Sequence, residues 1–269
     1  MLSSKACDVT GIVAIACARH GCFAPNSLTN LTHGERQVNI DWALLKALET
    51  TNMQGIKQMM IIYDIVCQYF IKLRERIGEY LPMELAIEKA IGLMHVHGHQ
   101  LDCFFRYAPS FIPGAGVVAG EILESLWANL NAISPSTRTA TLAHRAEILD
   151  DHMNDSNFKK LLSMSDALCV RLRKALTMRD TSTEYFRKLA AGISEEDKVL
   201  WEIAIEAAEH SRIHDCKVMD IMKASITDIK NAQGESGNMT ELRAGASTHD
   251  DISPEEGYII LGIQIEEKQ

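Results

Sequence analysis

Two short apolar runs constrain this chain more than any other feature: residues 11–18, Gly-Ile-Val-Ala-Ile-Ala-Cys-Ala, and residues 59–63, Met-Met-Ile-Ile-Tyr. Both are bounded by turn-forming or polar residues, and the first is rich in β-branched side chains, so they read as buried strands. Between them, residues 39–49 set Ile40, Trp42, Ala43, Leu44, Leu45, Ala47 and Leu48 at helical spacing. Strand, helix and strand in succession point to an α/β chain.

After the second strand the pattern is mostly helical. Cys67, Phe70, Leu73 and Ile77 trace an amphipathic helix closed by Gly78. Pro82 occupies a first helical position, and 83–94 follows with Leu85, Ala86, Ala90, Ile91 and Leu93, which predicts another helix. Pro109, Pro113, Gly114 and Gly116 mark a loop, and 117–131 resumes a helix carrying Glu121 and Glu124. Residues 142–210 are helix-compatible, with breaks expected at 181–183 and 192–194, where Ser194 and Asp197 form a helix-start signature. Residues 231–252 have the composition of a flexible linker, and an apolar stretch over 258–263 follows. The expected organisation is α/β and helix-rich: a core over 1–160, a helical region over 161–230, the linker, and a further segment starting at 253–269.

Composition excludes several classes. With 46% hydrophobic and 23% charged residues, the 269-residue chain falls among ordinary globular proteins. Its apolar runs fall far short of the roughly 20 residues of a membrane span. The start, Met1-Leu2-Ser3-Ser4-Lys5, is not a secretion signal, so the expected location is nuclear or cytoplasmic. Seven scattered cysteines fit reduced thiols. A net charge of −9 argues against affinity for nucleic acid over the whole surface.

Four groups of residues carry chemistry. Asp64 ends the second strand, where open α/β sheets place active residues, although an Asp there also caps a following helix. Glu121 and Glu124, three apart, share a helix face behind a Gly-rich loop. His95, His99 and Cys103 recur every four residues; on one straight helix His95 and Cys103 would stand about 12 Å apart along the axis, too far to surround one ion. A structural cluster packed near the second strand is the expectation, with a His/Cys metal-binding module as the alternative. Cys17, His20 and Cys22 form a smaller cluster without paired C-x-x-C spacing.

Taken in order, these motifs resemble the fungal transposases of the Kyakuja, Dileera and Zisupton (KDZ) group. The matching stretches are Cys17-Ala18-Arg19-His20 with Cys22, Glu35-Arg36 with Asn39 and Asp41, and Tyr63-Asp64-Ile65-Val66-Cys67-Gln68. They continue with His95, His99 and Cys103, then Gly120-Glu121 with Glu124 and Trp127, and further on Ser134, Arg145, Leu149, His152 and Asn157. The resemblance implies an RNase H-like fold and two Mg²⁺ ions held by acids, with Asp64 and Glu121 as catalytic and metal-binding residues. It also implies DNA, the transposon ends, as partner. Two carboxylate-held metals about 3.5–4 Å apart activate the attacking oxygen and stabilise the leaving one without a protein nucleophile.

The departures matter as well. The family's first catalytic Asp lies on a strand well upstream of the Cys17 motif, and only 16 residues precede Cys17 here. Ala119 stands where the family has Asp, and Ser125 where it has Arg. The expectation is therefore an incomplete RNase H-like core, truncated on its amino-terminal side and inactive alone, with an unpaired strand edge at 11–18 and self-association. The alternative is a non-catalytic interaction or assembly protein derived from a transposase.

Overall fold

A computed structural model describes residues 8–116, 118–216 and the backbone of 262–267. The chain divides into two compact units, Met1–Ser165 with Tyr258–Gln269, and Asp166–Gly257. The linker expected over 231–252 lies outside the described residues.

The first unit is built on a sheet whose first strand, β1 (Gly11–Cys17), is the expected apolar run. A tight turn with Gly21 at φ +62° returns the chain into β2 (Cys22–Phe23), pairing Cys17 with Cys22, and β3 (Thr29–Leu31) pairs with the other end of β1. Helix α1 (Gln37–Thr50) packs against β1 and buries Ile40, Ala43, Leu44 and Ala47. Strand β4 (Gln58–Tyr63) is the second apolar run. The expected single helix after it is broken into α2 (Val66–Tyr69), a 3₁₀ turn and α3 (Leu73–Ile77).

That break sets up a buried polar knot. Asp41 on α1 accepts from Arg76 Nε at 2.6 Å and Nη2 at 3.0 Å and from the Tyr69 hydroxyl at 2.7 Å. Arg76 also donates to the Tyr69 carbonyl, which the loosened turn exposes to it. Burial, then the neighbouring Asp41 carboxylate, pushes the Tyr69 hydroxyl far above its ordinary value.

The helix expected over 83–94 is instead strand β5 (Ala86–Ala90) followed by the short α4 (Leu93–Val96). Ala86, Glu88 and Lys89 favour helix weakly, but β4 offers a row of backbone partners, and β5 takes them in parallel from Gln58↔Ala86 to Ile62↔Ala90. Charged Glu88 and Lys89 suit a strand with a single described neighbour, because charge discourages further pairing there. Helix α5 (Leu101–Tyr107) follows, anchored by buried Phe105 and Tyr107.

Helix α6 (Ile122–Asn131) starts later than expected, so Glu121 is its N-cap and lies outside it. Its buried face, Leu123, Leu126, Trp127 and Leu130, meets Ile12, Ala14 and Ala16 of β1, Phe23, and Leu149 and Met153 of a later helix. Truncating Leu126 to Ala would cost about 2–5 kcal/mol by the cavity it leaves. After α7 (Ser134–Arg138), α8 (Leu142–Ala190) runs unbroken through 181–183, where a break was expected: the hydroxyls of Thr181 and Thr183 bond back to carbonyls four residues earlier, which the helix tolerates. Asn157 on α8 holds the β2 backbone at both N–H and C=O of Phe23.

The last strand, β6 (Gly262–Glu267), enters the sheet between β1 and β4, antiparallel to β1 from Gly11↔Glu267 to Ala16↔Gly262 and parallel to β4 at Ile62↔Gly262 and Tyr63↔Ile263. The order is β2-β1-β6-β4-β5, with β3 beside β1. Strand β1 is therefore paired on both sides, and the unpaired edge expected at 11–18 does not occur, because distant chain supplies the missing ladder.

In the second unit α9 (Glu195–Ser211) begins as expected: the Asp197 N–H donates to Ser194 Oγ at 3.1 Å. No helix among the described residues is long and apolar enough to cross a membrane.

Candidate functional site

Asp64 leaves the carboxyl end of β4, and 92–96 leaves the end of the neighbouring parallel strand β5, so the sheet brings both segments to one edge. The N-terminus of α6 reaches the same edge through Gly120, at φ +86°, a conformation that glycine adopts without strain. The Leu93 N–H donates to the Ala119 carbonyl at 2.7 Å, tying this approach to the start of α4.

Three carboxylates converge there on one imidazole. His95 Nε2 lies 3.5 Å from Asp64 Oδ2, while Nδ1 lies 3.1 Å from Glu121 Oε2 and 3.9 Å from Glu124 Oε1. The other Glu121 oxygen accepts from the Met94 N–H at 2.9 Å, which fixes the carboxylate's orientation. Glu121 and Glu124 also sit at the positive end of α6, where negative charge is favoured. Burial pushes the Asp64 carboxyl above its ordinary value; His95 opposes this, Glu121 adds to it and His99 opposes it.

His95, Glu121 and Glu124 offer ligand atoms all within 4.8 Å of one another, and Asp64 faces the other side of the same ring. Carboxylate oxygens are the donors that hard divalent cations such as Mg²⁺ take, often with one or two carboxylates and several waters. The donor set therefore fits a divalent ion. The imidazole is a softer donor that also suits Mn²⁺ or Zn²⁺.

The grouping His95, His99 and Cys103 is not one cluster. The segment is two short helices joined by a turn, so His95 turns to the carboxylates while His99 meets Cys67, Sγ to Nδ1 at 3.7 Å, with Cys103 beside them. Cys17 and His20 touch at 3.3 Å in the β1–β2 turn, and burial raises the Cys17 thiol. Glu35 and Arg36 are exposed at the entry to α1, Asn39 is half-buried on its first turn, and Asp41 lies in the polar knot. Gln68 is exposed on α2; Trp127 is core, its ring 6.3 Å from Phe23. Sequence reasoning missed the bridging role of His95 and the glycine beneath Glu121. A Gly between an apolar run and a His was the available signal.

Residues 2–157 match the model of the Kyakuja-Dileera-Zisupton transposase family. The chain belongs to the KDZ transposase family. The matched region contains every residue of the carboxylate and histidine cluster described above, from Asp64 to Glu124, and ends at Asn157, which clamps β2. No curated protein and no solved structure matches this KDZ chain.

Proposed function

We propose that this chain is a degenerate copy of a KDZ transposase, with an RNase H-like core whose ancestral activity is metal-dependent cleavage and joining of DNA. The reading is carried by one observation: Asp64, Glu121 and Glu124 gather at the carboxyl end of β4 and the N-terminus of α6. Asp64 and Glu121, with Glu124 beside Glu121, would hold Mg²⁺, whose chemistry is to activate an attacking oxygen and stabilise a leaving one at a phosphodiester. Glu121, fixed by the Met94 N–H, orients one side of that site, and His95 holds Asp64 toward it. Ala119 replaces the acid that precedes Gly-Glu in the family pattern. Asp64 and Glu121 then hold at best one ion loosely, so the chain does not cleave DNA by itself. The ancestral partner is transposon-end DNA, and the location is the nucleus or cytoplasm.

The test incubates the full chain with labelled duplex carrying candidate terminal repeats in Mg²⁺ or Mn²⁺, beside Asp64→Ala. No nicking is expected from either. Metal-dependent nicking abolished by Asp64→Ala would show a complete site and overturn the assignment of a degenerate copy.

A second reading, a non-catalytic assembly protein, has its own support in the second unit. Leu172, Tyr185 and Phe186 on α8 and Leu200, Trp201 and Ile203 on α9 are all more than half exposed, an unusual concentration of large apolar side chains in solvent.

A further inference from the structure

His95, His99 and Cys103 do not share one straight helix. Helix α4 ends at Val96, and a turn held by Gly98 N–H to the His95 carbonyl and His99 N–H to the Val96 carbonyl redirects the chain before α5. The turn brings His99 back over Cys103, in the first turn of α5, and both face Cys67, in the first turn of α2.

We infer that Cys67, His99 and Cys103 form a zinc site, separate from the carboxylate site and independent of the catalytic reading. Their Sγ, Nδ1 and Sγ atoms all lie within 4.8 Å of one another. With Zn–S near 2.3 Å and Zn–N near 2.0–2.1 Å, a tetrahedral ion separates its ligand atoms by about 3.4–3.8 Å. The 3.7 Å between Cys67 Sγ and His99 Nδ1 already has that value. Two thiolates and an imidazole select zinc over Mg²⁺, because soft donors favour the softer ion.

The three ligands are half-buried, so water does not fully compete for the ion, yet it has a path in. The scaffold is stiff: Phe104, Phe105 and Phe111 stack edge to face beneath α5, and the Ile91 N–H bonds the Tyr107 carbonyl at the helix's far end. Among the described residues no fourth His, Cys, Asp or Glu joins the group. On binding, the two thiols lose their protons to solvent and two S–Zn bonds and one N–Zn bond form, with no change of oxidation state. The ion would pin the start of α2 to the start of α5.

The test uses the full chain, reduced and stripped of metal, titrated with Co²⁺ as a spectroscopic stand-in for zinc. One equivalent should give thiolate-to-metal charge-transfer absorption and the visible bands of a tetrahedral ion, and one equivalent of Zn²⁺ should abolish both. Cys103→Ser should roughly halve the charge-transfer absorption and weaken binding at least tenfold, whereas Glu121→Gln should leave the spectrum unchanged, so failure of the carboxylate site is read separately. A wild-type chain that is folded by circular dichroism yet shows no thiolate band would overturn the proposal, whatever the variants do. So would a Cys67–Cys103 disulfide that persists in the reduced preparation.

Discussion

Gly92 lies directly against the carboxylate of Glu121: a β-carbon on Gly92 would stand 2.4 Å from Glu121 Oε1 and 2.9 Å from its Cδ. Gly120 faces Gly92 in turn, its own hypothetical β-carbon 3.0 Å from the Gly92 Cα. Two glycines in contact let the start of α6 approach the end of β5, and the Glu121 carboxylate occupies the space a side chain would need.

Gly92→Ala should therefore leave the fold intact while displacing Glu121. The obstructing atoms are the end of a flexible side chain, so the cost is about 1–3 kcal/mol, chiefly the lost acceptor for the Met94 N–H. Mn²⁺ binding should weaken markedly. Gly120→Ala should cost more, since it adds a side chain at φ +86° against backbone. Thermal melts and Mn²⁺ titrations of both variants check this; an unchanged Mn²⁺ affinity in Gly92→Ala would separate Glu121 from metal binding.

Asp64 should contribute less to the stability of the metal-free chain at neutral pH than in acid. Burial raises its pKa in the folded state above the ordinary 3.8. Between these two values the folded chain holds the proton more tightly than the unfolded one, so stability falls as pH rises through that window. Asp64→Asn should be the more stable form at pH 7 without metal, and the difference should close as pH falls toward 3.8. Chemical denaturation across that range measures it, and a less stable Asp64→Asn at pH 7 would contradict the desolvation account.

Arg76→Met should lower stability by about 3–5 kcal/mol, because Asp41 would be left buried without its cation. Adding Asp41→Asn should recover part of the loss, as an amide is cheaper to bury than a carboxylate. Urea unfolding of the single and double variants gives the coupling; strictly additive losses would mean the pair does not interact.

A chain stopped after Gly257 should melt lower and self-associate. It lacks β6 and so exposes the facing edges of β1 and β4, both apolar strands. Light scattering and thermal melts against the full chain decide it; equal melting and a monomeric truncated form would show that β6 contributes nothing to the sheet.

The sequence by itself determined the elements whose signals are local. The runs at 11–18 and 59–63 are β1 and β4, the apolar spacing at 39–49 lies within α1, and Ser194 caps α9, because burial periodicity and capping chemistry act within a few residues. The same local reasoning put Asp64 at a strand end. Only the tertiary structure decided the rest. Residues 86–90 became a strand because β4 supplied hydrogen-bond partners that outweigh a weak helical preference, and a turn after Val96 ended the supposed single helix through His95, His99 and Cys103. His95 then joined Asp64 and Glu121, and His99 joined Cys67, from positions 26 to 32 residues apart in the chain. Strand β6 is the extreme case: backbone groups pair with whatever strand reaches them, so the partner of Ile12 is Glu266, and no local pattern at either position encodes the other.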